Sequence, residues 1–144
     1  MGLRTLVVSR RQNGRFDCRY AHWGVGVDPI AQSRPLGNDW PASAVLAELD
    51  AGYEQVLVRG PSSGRYCVVW LDPTLTDAED IALARTDDPT ALRDWWTTVK
   101  SRVIEAVTDG VDAGTARRGV LAALQRQADA VYLPDDASFL SDGG

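Results

Sequence analysis

Apolar and polar residues alternate along two neighbouring runs near the start of the chain, LRTLVVSR (3–10) and RFDCRYAHW (15–23), with Gln12-Asn13-Gly14-Arg15 between them. A period of two marks a half-buried strand, and Asn-Gly is the strongest short hairpin signal because both turn positions need positive φ. The pattern predicts a hairpin with a two-residue turn. That register puts Thr5 opposite His22, Val7 opposite Tyr20 and Ser9 opposite Cys18 on one face, nearly uncharged and expected to meet the core. The other face carries Arg4 opposite Trp23, Leu6 opposite Ala21, Val8 opposite Arg19 and Arg10 opposite Asp17, offering an Arg10–Asp17 ion pair and an Arg4–Trp23 cation–π contact.

Residues 24–40, GVGVDPIAQSRPLGNDW, lose any sustained period, are rich in Gly and Pro, and read as a long surface loop. Pro41 to Ala51 then predicts a short helix, with Val45, Leu46 and Leu49 on one side and Gly52 as its stop. EQVLVR (54–59) and RYCVVWL (65–71), joined by GPSSG, predict a second hairpin whose latter strand is apolar on both faces and so central. Thr76 and Glu79 have the spacing of a capping box, which predicts a short helix to about Ala84. Asp88-Pro89 opens a long helix, because Leu92, Trp96, Val99, Val103 and Ala106 or Val107 recur at intervals of three and four as far as Gly110. Thr115 is placed to cap a last helix with Val120, Leu121, Leu124, Ala128 and Val131 inward and Pro134 at its end.

These elements imply an α+β class: an antiparallel sheet of about four strands from two hairpins, covered by about four helices, the last two long and amphipathic. One domain is expected over 1–134, followed by a polar tail, 135–144. At 144 residues the chain is long enough to bury a core without metal or disulfide staples. No apolar run approaches the roughly 20 residues that cross a bilayer, and LRTLVVSRR is too short and too charged for a leader, so no membrane partner and a cytoplasmic location are expected.

Charge sharpens this picture. Fourteen of the 15 basic residues are arginine, Lys100 being the exception, and 16 of the 20 acids are aspartate. With a net charge of -5 and a pI near 4.7, this bias fits a salt-adapted or GC-rich microbe. At high salt the screening length falls to about 3 Å, so basic groups act only at contact. Residues 1–34 carry six arginines against Asp17 and Asp28, whereas residues 72–144 carry seven bases against fourteen acids, a basic head on an acidic body.

The stretch RQNGRFDCRYAHWG (11–24) gathers the only histidine, a cysteine and several arginines. Cys18 and His22 lie four strand residues apart, about 13 Å, beyond the contact a nucleophile and its base require. Cys67 on the second hairpin is the remaining partner for His22 if the protein is catalytic; otherwise His22 is a core or edge histidine, or a metal ligand short of companions. Cys18 and Cys67 read as two buried thiols. GVG (24–26) and GPSSGR (60–65) lack the third glycine and the lysine of phosphate-binding loops and read as turns. No cofactor or metal is implied.

Gly2, Arg4, Leu6, Val7, Gly14, Phe16 and the run Tyr20, His22, Trp23, Gly24 form an opening that resembles a family of short haloarchaeal proteins of unknown function, found in chromosomes, proviruses and viruses. The resemblance covers about one-sixth of the chain and implies provenance, a halophilic archaeon or its virus, with no activity attached.

The function expected first is a non-enzymatic interaction or assembly module, with a protein partner or self-association through Trp23 and Trp40, since tryptophan outside a core is a favoured interface anchor. A virion location follows if the chain is virus-encoded. The second is a nucleic-acid-binding or regulatory protein using Arg4, Arg10, Arg11, Arg15 and Arg19 with Trp23 for stacking. The third is a small enzyme using His22 with Cys67.

Overall fold

The computed structural model describes residues 3–23, 34–60, 64–74, 76–133 and 137–140, with the side chains of Leu3, His22, Trp23 and Ala137 outside the description. Seven strands, β1 (Leu3–Arg10), β2 (Phe16–Trp23), β3 (Arg34–Trp40), β4 (Gln55–Arg59), β5 (Gly64–Trp70), β6 (Ile81–Arg85) and β7 (Ala130–Tyr132), form one sheet in the order β3-β2-β1-β4-β5-β6-β7. Neighbours are antiparallel except β1 and β4, which run parallel. A parallel pair needs a crossover, here supplied by β2, β3 and α1 (Ala42–Glu48). The helices α2 (Pro89–Thr108) and α3 (Ala113–Gln127) and a 3₁₀ turn (Ala137–Leu140) complete the described elements. The four-stranded antiparallel sheet under four helices is therefore corrected to a seven-stranded mixed sheet with three α-helices.

Three departures explain that correction. Residues 34–40 pair with β2 although Gly and Pro interrupt their pattern, since β3 is an edge strand and loses little from a proline. The remainder of the expected loop, 24–33, lies outside the described residues. Ile81–Arg85 is a strand, not a helix: IALAR is a short apolar run with four consecutive buried residues, a pattern that does not distinguish a buried strand from a buried helix. Its expected capping box is absent because the Asp72 carboxylate takes the N–H groups of Thr76 and Asp77 at 3.0 and 2.8 Å, bending the chain into a turn. Finally, α3 stops at Gln127 so that Ala130–Tyr132 can join β6.

On the two long helices the caps are aspartates. Asp88 accepts from Ala91 N at 3.0 Å with Pro89 in the first turn, and Asp112, rather than Thr115, accepts from Thr115 N at 3.0 Å.

The sheet is buried on both sides. One layer joins Leu6, Val8, Phe16, Cys18, Val56, Val58, Tyr66, Ile81 and Leu83 to Val45 and Leu49 around α1. The other packs Cys67, Val69, Ala82 and Ala84 against Leu92, Val120 and Leu124 of α2 and α3. Phe139 and Leu140, within the segment expected as a polar tail, belong to the first layer, at 0% and 2% exposure. Phe139 packs edge-on to Tyr66 at 5.5 Å, and its carbonyl accepts from the Tyr66 hydroxyl.

The first hairpin forms, with a different turn. Gly14 N donates to the Arg11 carbonyl and Arg11 N to the Arg15 carbonyl, with Gly14 at φ 80, so the loop has three residues and ends on a left-handed glycine. The bend is one residue wider than expected. Pairing becomes Arg4 with His22, Leu6 with Tyr20, Val8 with Cys18 and Arg10 with Phe16 on one side, and Thr5 with Ala21, Val7 with Arg19 and Ser9 with Asp17 on the other. A one-residue slip exchanges the faces of one strand relative to the other, which separates Arg4 and Arg10 from Arg19.

Candidate functional site

The turn arginines are engaged with carboxylates. Arg11 Nη1 lies 3.0 Å from Asp17 Oδ1, in place of the expected Arg10–Asp17 pair, and Arg15 Nε lies 3.3 Å from Asp39 Oδ1 and donates to the Asp39 carbonyl at 2.8 Å. Asn13 donates to the same Asp39 carboxylate, and Asp39 N donates to Asp17. The hydrogen bond from Asp39 N, with that from Arg11, holds the Asp17 carboxyl below its ordinary range. This network clamps β3 to the hairpin. Arg10 points the other way, beside Gly60, with Nε and Nη2 buried and without an acceptor among the described residues.

Trp40 is half-buried against the first layer and lies over Gly37, where a β-carbon would overlap the indole. The side chains of His22 and Trp23 lie outside the described residues. In the backbone, residue 22 on β2 stands three strands from Cys67 on β5, about 14 Å, so the register does not bring that pair together. Both thiols are free and buried; burial pushes Cys18 up to about 11 and raises Cys67.

A cavity of about 240 Å³ opens at the end of the sheet where β1 and β4 begin and β5 ends. Its lining includes Arg4, Tyr53, Glu54, Val68 and Trp70 from the strand ends, and Arg93, Trp96, Thr97 and Lys100 from α2. Positions 93, 96, 97 and 100 are spaced three, one and three apart, so they share one flank of the helix. Tyr53, Val68 and Trp70 pack on the first core layer and Trp96 on the second, so the groove lies where both layers reach the sheet end. Backbone bonds tie three strands there: Glu54 N to the Arg4 carbonyl at 2.8 Å, and Val68 N to the Glu54 carbonyl at 3.0 Å.

The groove is basic and aromatic. Arg4 Nε meets Glu54 Oε1 at 3.5 Å, which neutralises one cation and the only carboxylate in the lining. Arg93 and Lys100 have no carboxylate partner among the described residues. Lys100 Nζ instead stands 5.7 Å from the centre of the Trp70 ring. That indole is fixed by its N–H, donated to the Asp77 carbonyl at 2.8 Å. Asp77 is fixed in turn by Asp72, whose carboxylate accepts from Thr74, Thr76 and Asp77; the Thr74 hydroxyl foremost, then those backbone N–H groups, hold the Asp72 carboxyl well below its usual range. Tyr53 donates to Glu48 Oε1 at 2.6 Å, and burial with that carboxylate keeps the phenol protonated far above its ordinary range.

Of the residues proposed from sequence whose side chains are described, the structure places only Arg4 in this groove. Arg93, Trp96 and Lys100 are legible as one helical flank, but their meeting with Trp70 and Glu54 depends on strand order. Among the described residues, no helix is long and apolar enough to cross a membrane, and no group of three His, Cys, Asp or Glu is placed to hold a metal ion. No protein-family model, curated protein or solved structure matches the chain, so these comparisons add nothing to the resemblance carried by residues 2–24.

Proposed function

We propose that this protein is a non-catalytic binding module whose ligand presents an anionic group joined to a flat apolar ring, taken in the groove of Arg93, Lys100, Trp70 and Trp96. The observation that carries the proposal is the convergence of two cations lacking carboxylate partners, among the described residues, with two part-exposed indoles in one cavity of about 240 Å³. An anion gains charge-assisted hydrogen bonds from such cations, and a ring gains contact area on indole. The proposal joins two expectations, interaction module and nucleic-acid binder, while moving the contact from the hairpin arginines to the sheet end.

An origin in a halophilic archaeon or its virus, which the resemblance implies, agrees with contacts of this kind. Short-range ion pairs and stacking persist at salt concentrations that screen longer-range attraction. For a protein partner or a second copy, the structure offers an apolar groove between α2 and α3 lined by Val99, Val103, Val111 and Ala123, but nothing on it identifies an occupant.

Calorimetric titration with adenosine monophosphate at low salt tests the proposal. The unmodified protein is expected to bind, and Arg93→Gln with Lys100→Gln is expected to weaken binding at least about ten-fold, the effect of losing charge-assisted bonds worth about 1.5–3 kcal/mol. Equal affinity in the double variant would remove the groove from the function.

A further inference from the structure

Resting on that groove as a binding site, we infer that it is one end of a track for single-stranded nucleic acid that crosses the sheet from β5 to β3. Contacts continue beyond the cavity. Tyr53, which lines it, meets Tyr20 of β2 at a ring separation of 6.1 Å, and the guanidinium of Arg34, on β3, lies 4.8 Å from the centre of the Tyr20 ring. Tyr20 and Arg34 are register partners, and Arg4, which lines the groove, lies on β1, the strand next to β2. The sequence of accessible groups across the sheet end is thus Arg34, Tyr20, Arg4, Trp70 and Lys100, with Tyr53, buried at 8% exposure, packed behind them.

Five neighbouring strands separate the ends of the track, four interstrand spacings or about 19 Å. That length exceeds one nucleotide and fits the short end of the roughly 4–16 nucleotides covered by one single-strand-binding domain. Cations without carboxylate partners among the described residues stand at both ends, Arg34 at one and Lys100 with Arg93 at the other, and rings lie between them. This is the order a strand needs when phosphates are held at intervals and bases stack between.

A duplex fits less well, because its base faces are covered by their neighbours and the rings would find nothing to stack on. The surrounding charge points the same way. A protein of net charge -5 opposes the broad phosphate surface of a duplex, whereas a narrow track exposes a single backbone to a few cations. A free mononucleotide would use the groove and leave Arg34 idle.

Fluorescence anisotropy with a short fluorescein-labelled oligothymidylate, in competition with thymidine monophosphate and with a blunt duplex of equal length, distinguishes these cases. The oligomer is expected to bind at least about ten-fold tighter than either competitor, the effect of one additional stacked base. Its affinity is expected to fall with salt at a logarithmic slope near -2, from about 0.7 for each of three phosphate contacts. Arg34→Gln, an exposed substitution checked for an unchanged circular dichroism spectrum, should weaken the oligomer and lower that slope by about 0.7 while leaving the monophosphate unaffected. Arg93→Gln with Lys100→Gln should weaken both. An oligomer bound no tighter than the monophosphate, with Arg34→Gln silent, overturns the track and leaves the groove standing; duplex bound as tightly as single strand also overturns it. Binding of neither oligomer nor monophosphate overturns the groove itself.

Discussion

Lys100 on α2 holds its ammonium 5.7 Å from the centre of the Trp70 ring at the end of β5, bringing a helix and the sheet end to one place. A partly exposed cation–π contact of this kind contributes about 0.5–1 kcal/mol. Lys100→Gln is therefore expected to lower the urea-unfolding free energy by no more than about 1 kcal/mol while weakening anion binding. A loss above about 3 kcal/mol would assign Lys100 to the fold instead.

The two glycines of the hairpin region separate conformational from steric demands. Gly14 has φ 80 and open space within 4 Å of where a β-carbon would stand, whereas a β-carbon on Gly37 would overlap the Trp40 indole. Gly14→Ala should lose about 1–2 kcal/mol from the left-handed backbone alone, and Gly14→Asn less, because asparagine tolerates that region. Gly37→Ala should recover when Trp40 is also shortened to Leu. Urea denaturation of these variants measures both effects; additive losses for Gly37→Ala and Trp40→Leu would contradict the steric account.

Phe139 is fully buried against Tyr66 and Tyr132, which makes the 3₁₀ turn Ala137–Leu140 part of the core. Phe139→Ala should destabilise by about 3–5 kcal/mol. Chemical denaturation would show it, and a change under about 1 kcal/mol would mean that the terminal segment adds little to the core.

Asp72 makes stability depend on acid. Its folded carboxyl titrates well below the ordinary value, chiefly because the Thr74 hydroxyl donates to the carboxylate, with the N–H groups of Thr74, Thr76 and Asp77 adding to it. A depressed folded value gives stabilisation that is complete above the unfolded pKa of about 3.9 and is lost as pH falls, starting near pH 5. Urea midpoints of the unmodified protein should drop from pH 5 to pH 2, and Asp72→Asn should be less stable at pH 7 with a shallower drop. Parallel curves would contradict this.

How much of this is legible in the sequence follows from the range of the interactions involved. The first hairpin, α1, β4, β5 and the Asp88-Pro89 start of α2 follow from local period and caps, and all formed. The hairpin register does not follow, because Asn13-Gly14 is compatible with both a two- and a three-residue loop; Asn13 and Arg15 bind Asp39 of a distant strand, and that contact accompanies the wider bend. Strand β6 is hidden because an apolar run of four residues has no distinguishable period. The groove is half visible: Arg93, Trp96 and Lys100 mark one helical flank and the second hairpin sets Glu54 beside Val68, but Arg4 joins them only through the parallel β1–β4 pairing, a non-local choice that no hairpin signal announces.

The central claim is that ligand is held at the sheet end rather than at the arginine-rich turn. Two-dimensional ¹H–¹⁵N spectra recorded during titration with oligothymidylate test it most directly. We expect the indole N–H signals of Trp70 and Trp96 and the backbone signals around Arg93 and Lys100 to shift together, with Arg11, Arg15 and Asp39 unmoved. Shifts gathered on Arg11, Arg15 and Asp39, with both indoles unchanged, would contradict the account.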